Sequence, residues 1–244
     1  MIIDGHIHIG KWSEVFLNYG TTVKDAINVL IKAGINEAVC FPADRTSNVD
    51  LLNEIKLNKN FKFHFTAWIN PDDSNLDSFI EQNLNEIKFF KIHPSFQKRR
   101  ITDHSYEKYI QIANDTHKPV IVHCGRWAEI ANFRFPLAIA KKFPDLTVIL
   151  AHMGGDQPNL MMECANELSN NNYSNVYLGT ESVREFYFVE QIIKKLGAKK
   201  VLFGSDYNLG IPQMYISLID SLKISSEEKD LIFYYNIKNI IESA

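Results

Sequence analysis

The sequence predicts an α/β fold, a TIM (β/α)8 barrel with a metal site at the C-terminal ends of the strands, and three observations carry that expectation. Short β-rich runs alternate with stretches of helical spacing along the whole chain. The runs number eight in 244 residues, the size of one such barrel. Side chains of metal-binding type close several of them. The main competitor, an open doubly wound sheet, would gather ligands at one switch point and not from the first, fifth, sixth and eighth runs. Nor does a glycine-rich phosphate loop follow the first run.

The first run, 2–9, carries Asp4, His6 and His8 at alternate positions. On an extended strand all three project to one side, and the two imidazoles aim at one point. Val23, Ile27, Leu30 and Ile31 then recur at helical spacing, and Gly34 stops that helix ahead of the second run, 37–41. Leu51, Leu52 and Ile55 mark the next helix, which precedes the third run, 61–69, and the fourth, 87–93, with Lys91-Ile92-His93-Pro94 at its end. Tyr106, Tyr109, Ile110 and Ala113 space another helix, and Pro119 opens the fifth run, 119–123, which finishes on His123. Pro144 precedes the sixth run, 147–152, closed by His152, and the seventh covers 175–180. Val189, Ile192, Ile193 and Leu196 form the last of these helical patterns, stopped by Gly197 before the eighth run, 200–205, which leads into Asp206. No Gly/Ser-rich linker or low-complexity tract interrupts the alternation, so residues 1–244 read as one domain.

Of the eight histidines, His6, His8, His93, His123 and His152 fall at or near strand C-termini, which is the face where barrels of this kind build their sites. His104 and His117 sit in polar loop or helix-end contexts and read as surface groups. His64, mid-strand among phenylalanines, reads as a hydrogen-bonded core residue.

Composition narrows the partners. With 45% hydrophobic residues the chain can bury a large core. Its 26 Lys plus Arg against 29 Asp plus Glu give a net charge of -3, with no dense basic run beyond Lys98-Arg99-Arg100, which argues against nucleic acid and membrane surfaces. No apolar run approaches the roughly 20 residues needed to cross a bilayer. Cys40, Cys124 and Cys164 are few, odd in number and without metal-type spacing, as expected in a reducing compartment. Because the first run begins at Ile2, it leaves no room for a cleavable leader, and a cytoplasmic location is the expectation. A homodimer is the default assembly.

Taken in order, Asp4-Gly5-His6-Ile7-His8, Lys91-Ile92-His93-Pro94, His123, His152-Met153-Gly154-Gly155 and Phe203-Gly204-Ser205-Asp206-Tyr207 resemble the amidohydrolase superfamily. Within it they are most similar to the amidohydrolase-related branch that includes aminocarboxymuconate semialdehyde decarboxylase. The segment 233–241 looks like that branch's closing helix, while Asn208 departs from the proline that often follows the tyrosine. The resemblance implies that His6, His8, His123 and Asp206 hold one divalent metal, with His152 close by as a catalytic group. Neutral imidazoles and a carboxylate suit Zn²⁺, with Mn²⁺ or another divalent ion as alternatives. Asp206 would take a proton from metal-activated water and pass it to the leaving group, and His152 would bond the substrate oxygen or a developing oxyanion.

The expected activity is hydrolysis of an amide, ester or lactone bond in a small anionic substrate. Non-oxidative decarboxylation is the enzymatic alternative, and a metal-binding scaffold without catalysis the remote one. Asp4 lies deeper on the same strand face and is expected to support the site by hydrogen bonding. Lys91 is ambiguous: in binuclear members of the superfamily a strand-four lysine is carboxylated and bridges two metals, yet the following His-Pro resembles the mononuclear branch. Lys91 and His93 share a strand face and are expected to point toward the pocket and grip an anion. Arg126, beside Trp127 above the fifth strand, is the best candidate to hold a carboxylate, with Arg45 and Arg184 in similar places and a solvated surface position as the competing reading for each. Trp68 supplies either an apolar pocket wall or packing at the barrel rim.

Overall fold

The computed structural model describes residues 1–125 and 127–244. Nine strands form one sheet: β1 (Ile3–Lys11), β2 (Gly20–Thr21), β3 (Glu37–Pro42), β4 (Lys62–Trp68), β5 (Phe89–Ile92), β6 (Val120–Val122), β7 (Val148–Leu150), β8 (Val176–Gly179) and β9 (Val201–Leu202). β1 and β3 to β9 pair in parallel in chain order, with helices between them, and β2 is an antiparallel appendage on Gly10 and Lys11. The sheet curls until its last strand meets its first. There Gly5 N donates to the Phe203 carbonyl at 2.8 Å, Asp206 N donates to the His6 carbonyl at 3.0 Å, and Ile7 and Tyr207 form a parallel bridge. The expected TIM barrel is therefore the observed one.

Alternation along the strands explains the two layers of core. In β3, Val39 and Phe41 point into the barrel, where they pack with Ile3, Phe89, Ile121, Ile149 and Leu202 from other strands. Ala38 and Cys40 point outward to the helices. The inner layer is sealed at the N-terminal end of the barrel by Ile237, Ile240 and Ile241 of the final helix, Asn236–Glu242, the closing helix anticipated at 233–241. Ile237 is fully buried, so Ile237→Ala should lower unfolding free energy by about 2–5 kcal/mol in denaturant titration, the range for a large aliphatic side chain cut to Ala in a packed core.

Four features differ from, or sharpen, the reading of the sequence. The hairpin strand β2 carried no sequence signal, being two residues long. β6, β7 and β9 stop short of the three site residues: His123 directly follows β6, His152 lies in the helical turn Ala151–Gly154 after β7, and Asp206 stands beyond Phe203-Gly204-Ser205 after β9. His152 and Asp206 have positive φ angles of 57° and 55°, which turn the chain sharply off the sheet. His64, as expected, is buried and bonds Glu37 Oε2 at 2.7 Å. The cysteines are free and buried, and burial pushes the Cys40, Cys124 and Cys164 thiols up. No helix among the described residues is long and apolar enough to cross a membrane.

Candidate metal centre

Two imidazoles and one carboxylate converge where β1 meets the end of β9. The strand pairing of β1 shifts between Asp4 and Ile7, and Gly5 sits at the seam because an added Cβ would lie 2.9 Å from the Phe203 carbonyl oxygen. Asp4 ties the two segments together, its Oδ1 accepting from His6 N at 3.1 Å and Ser205 N at 3.0 Å. Burial is the main cause that raises its pKa to about 7. Its supporting place below the histidines matches the expectation from the strand face.

The Nδ1 atoms of both histidines are already engaged. His6 Nδ1 lies 2.9 Å from Glu181 Oε1, and His8 Nδ1 donates to the Pro42 carbonyl at 3.3 Å. That leaves each Nε2 with its lone pair, and each Nε2 lies 3.6 Å from Asp206 Oδ1. The three donors all fall within 4.8 Å of one another. Around an ion with ligands at about 2.0–2.1 Å in tetrahedral array, neighbouring donors would stand roughly 3.3–3.4 Å apart. The observed spacing fits a shared ion and is long for a hydrogen bond. Burial, then the Lys91 charge, holds His6 well below the ordinary histidine range, and burial does the same for His8, so both are neutral as ligands must be. Burial alone would raise Asp206, but His6, His8, His152 and the Ser182 hydroxyl that donates to its Oδ2 outweigh it and keep the carboxylate ionised.

The other histidines form a separate string along the floor. His152 Nε2 lies 2.9 Å from His123 Nδ1, His123 stacks on His93 at 3.8 Å between centroids, and His93 stacks on Trp68 at 5.4 Å. The structure thus brings His6, His8 and Asp206 into one donor cluster and places His123 beside it, bonded to His152. Lys91 is fully buried beneath the site, its Nζ 3.4 Å from His6 Nε2 and over the Phe41 ring, and burial lowers its pKa to about 8. His93 lines the cavity, but Lys91 and Trp68 are absent from its lining. Trp68 packs at the rim and faces a second hollow, of about 430 Å³, together with Arg45. Arg126 lies outside the described residues.

The cavity above the cluster measures about 700 Å³. His6, His8, His93, His123, His152 and Asp206 form its floor, and Trp12, Phe16, Phe96, Ile211, Met214 and Tyr215 its apolar walls, with Arg184 among the polar groups at the side. Three of its supporting residues were missed in the sequence. Glu181, separated from β8 by Thr180, could have been found as a carboxylate immediately after the seventh run. Ser182 holds Asp206, but a lone serine carries no pattern. Asn208, the departure from proline, receives the Trp12 Nε1 hydrogen bond and donates to Thr21 Oγ1, both at 2.7 Å, and its peptide bond to Tyr207 is cis.

A family model described as amidohydrolase matches residues 3–240. No curated protein matches the chain. Similar solved structures include a protein described as a probable 2-pyrone-4,6-dicarboxylic acid hydrolase from Acinetobacter baumannii with citric acid bound, at 15% identity and TM-score 0.77, covering 99% of each chain. An uncharacterized TIM-barrel protein from Bordetella bronchiseptica is 17% identical with TM-score 0.78, over 99% of this chain and 98% of the other. A dihydroxybenzoic acid decarboxylase from Polaromonas sp., with manganese and 2-nitroresorcinol bound, is 13% identical with TM-score 0.74, over 99% of this chain and 96% of the other.

Proposed function

We propose that this chain, which belongs to the amidohydrolase family, holds one divalent metal ion on His6 Nε2, His8 Nε2 and Asp206, with His123 as the fourth ligand, and hydrolyses an amide, ester or lactone bond of a small anionic substrate. The observation that carries this is the equal 3.6 Å placement of Asp206 Oδ1 from two imidazole nitrogens whose partner nitrogens are already bonded. Zn²⁺ suits the donor set, and the manganese in the Polaromonas relative makes Mn²⁺ the next ion to load. When bound, such an ion polarises the substrate carbonyl and brings the pKa of water to about 7.

The residues of the chain do the rest. Asp206, kept ionised among three histidines and steadied by Ser182, accepts the proton of the attacking water on its carboxylate and returns it to the leaving group. His152 stands beside the same floor, where its Nε2, once it has taken up a proton, can turn from His123 and donate to the substrate oxygen as charge develops there. Arg184 offers a cationic fork to a substrate carboxylate, and the aromatic and aliphatic walls exclude water around the reacting bond. A charge-assisted hydrogen bond contributes about 1.5–3 kcal/mol, so Arg184→Ala should raise KM for an anionic substrate roughly tenfold or more with a smaller effect on a neutral analogue. Parallel measurement of Arg126→Lys tests the same idea for the arginine singled out in the sequence.

Decarboxylation is the second reading, favoured by Arg184 in the cavity lining as a holder for a substrate carboxylate and by the decarboxylase among the similar folds. Screening the Zn²⁺- and Mn²⁺-loaded protein against lactones, amides, esters and aromatic carboxylic acids in ¹⁸O-labelled water separates the two. Incorporation of one label without CO₂ is the expected result. Release of CO₂ without label would establish the lyase reading, and no turnover of any class would remove both.

A further inference from the structure

Glu181 touches more of the floor than any mechanism above requires. The residue follows β8, is 1% exposed, and reaches two histidines at once. Its Oε1 lies 2.9 Å from His6 Nδ1 and accepts from His152 N at 3.1 Å, while its backbone carbonyl lies 3.0 Å from His152 Nδ1. Two glycines clear the space it occupies: an added Cβ would come within 2.3 Å of a Glu181 carboxylate oxygen at Gly179 and within 2.6 Å at Gly204. Either methyl group would push the carboxylate off its contacts.

These contacts decide where protons sit on three rings. A backbone carbonyl can only accept, so His152 Nδ1 carries its hydrogen and the Nε2 of the neutral ring carries a lone pair. The 2.9 Å bond between that Nε2 and His123 Nδ1 must then be donated by His123, which leaves His123 Nε2 with a lone pair. Independently, Oε1 accepts from His6 Nδ1 and leaves His6 Nε2 with one too. We propose that Glu181 is a positioning residue: its carboxylate oxygen holds His6, and its carbonyl, by way of the Nδ1–H form of His152, holds His123, in the Nδ1–H form that metal ligation through Nε2 demands. The inference rests on the metal site proposed above, and it goes beyond that reading by assigning a role to a residue with no place in the ligand set.

Its test is an imidazole ¹⁵N NMR spectrum of the metal-free protein, joined to Zn²⁺ affinity measured by competition with a chelator. Wild type should show Nδ1–H tautomers at His6, His123 and His152. Glu181→Leu, close in volume but without an acceptor, should lose the fixed tautomer at His6 and bind Zn²⁺ about 10–100-fold more weakly, the usual cost of removing a group that orients a ligand. Glu181→Gln, which keeps an acceptor oxygen, should restore the His6 tautomer and most of the affinity. Wild-type tautomers of the opposite kind at His6 or His123 overturn the proposal, as does unchanged Zn²⁺ affinity in Glu181→Leu. Should Glu181→Leu fail to fold, the wild-type spectrum and the Glu181→Gln affinity still decide. Correct tautomers in a protein that binds no Zn²⁺ would defeat the metal reading while leaving the positioning role intact, so the two failures are distinct.

Discussion

Asp206→Asn should leave the barrel folded, retain part of the metal, and lower kcat by about 10³-fold or more. The amide oxygen can still face His6 and His8, because the side chain keeps its length and Ser182 can still bond its far end. What it lacks is basicity. In the wild type two opposing causes act on this carboxyl, burial raising its pKa and the facing imidazoles with the Ser182 hydroxyl lowering it, and the second set prevails. The result is a carboxylate that is ionised when water must be deprotonated, at a position shielded from solvent competition. Turnover by Asp206→Asn within tenfold of wild type on a confirmed substrate would show that the proton goes elsewhere, with His152 the next group to test.

Much of the architecture was legible because one physical rule wrote it repeatedly. Each strand of a barrel is buried on both faces, so its residues are apolar nearly throughout, and the polar exceptions fall at the end where the site is built. Val120, Ile121 and Val122 before His123, and Val148, Ile149 and Leu150 before His152, show the pattern in its shortest form. The hairpin strand Gly20–Thr21 could not be read this way, being too short for a period and fixed by contacts distant in sequence, notably Asn208 to Thr21.

The candidate site was legible in the ligands proposed for it and obscure in its supports. His6 and His8 stand out because a pair two residues apart on one strand has a single physical consequence. Lys91 shares its strand face with His93, yet the two part company: His93 reaches the cavity, and Lys91 stops beneath the histidines against Phe41. Strand periodicity gives a side chain's direction but not its depth. Glu181 and Ser182 were harder still, since their value lies in what they touch, and those partners come from strands far away in the chain.

His8→Ala should reduce bound metal from about one ion per chain to a small fraction, with affinity down at least 10²-fold, because one missing imidazole leaves a site with too few donors to displace the ion's hydration. His8 is the cleaner choice for this measurement. Its Nδ1 bonds only a backbone carbonyl, and the ring packs on Trp12 and Phe41, so the change strands no directly bonded carboxylate, while Asp206, 3.6 Å from both imidazoles, loses one neighbour in either variant. His6→Ala should lose the metal as well, but it also deprives the buried Glu181 of a partner, at a further cost of about 1–3 kcal/mol in stability. Elemental analysis with thermal melts distinguishes the two effects: equal metal loss in both variants and a lower Tm for His6→Ala is the expected outcome. Full metal content in His8→Ala would exclude the proposed ligand set. Two ions per wild-type chain would instead favour a carboxylated Lys91, whose Nζ already lies 3.4 Å from His6 Nε2.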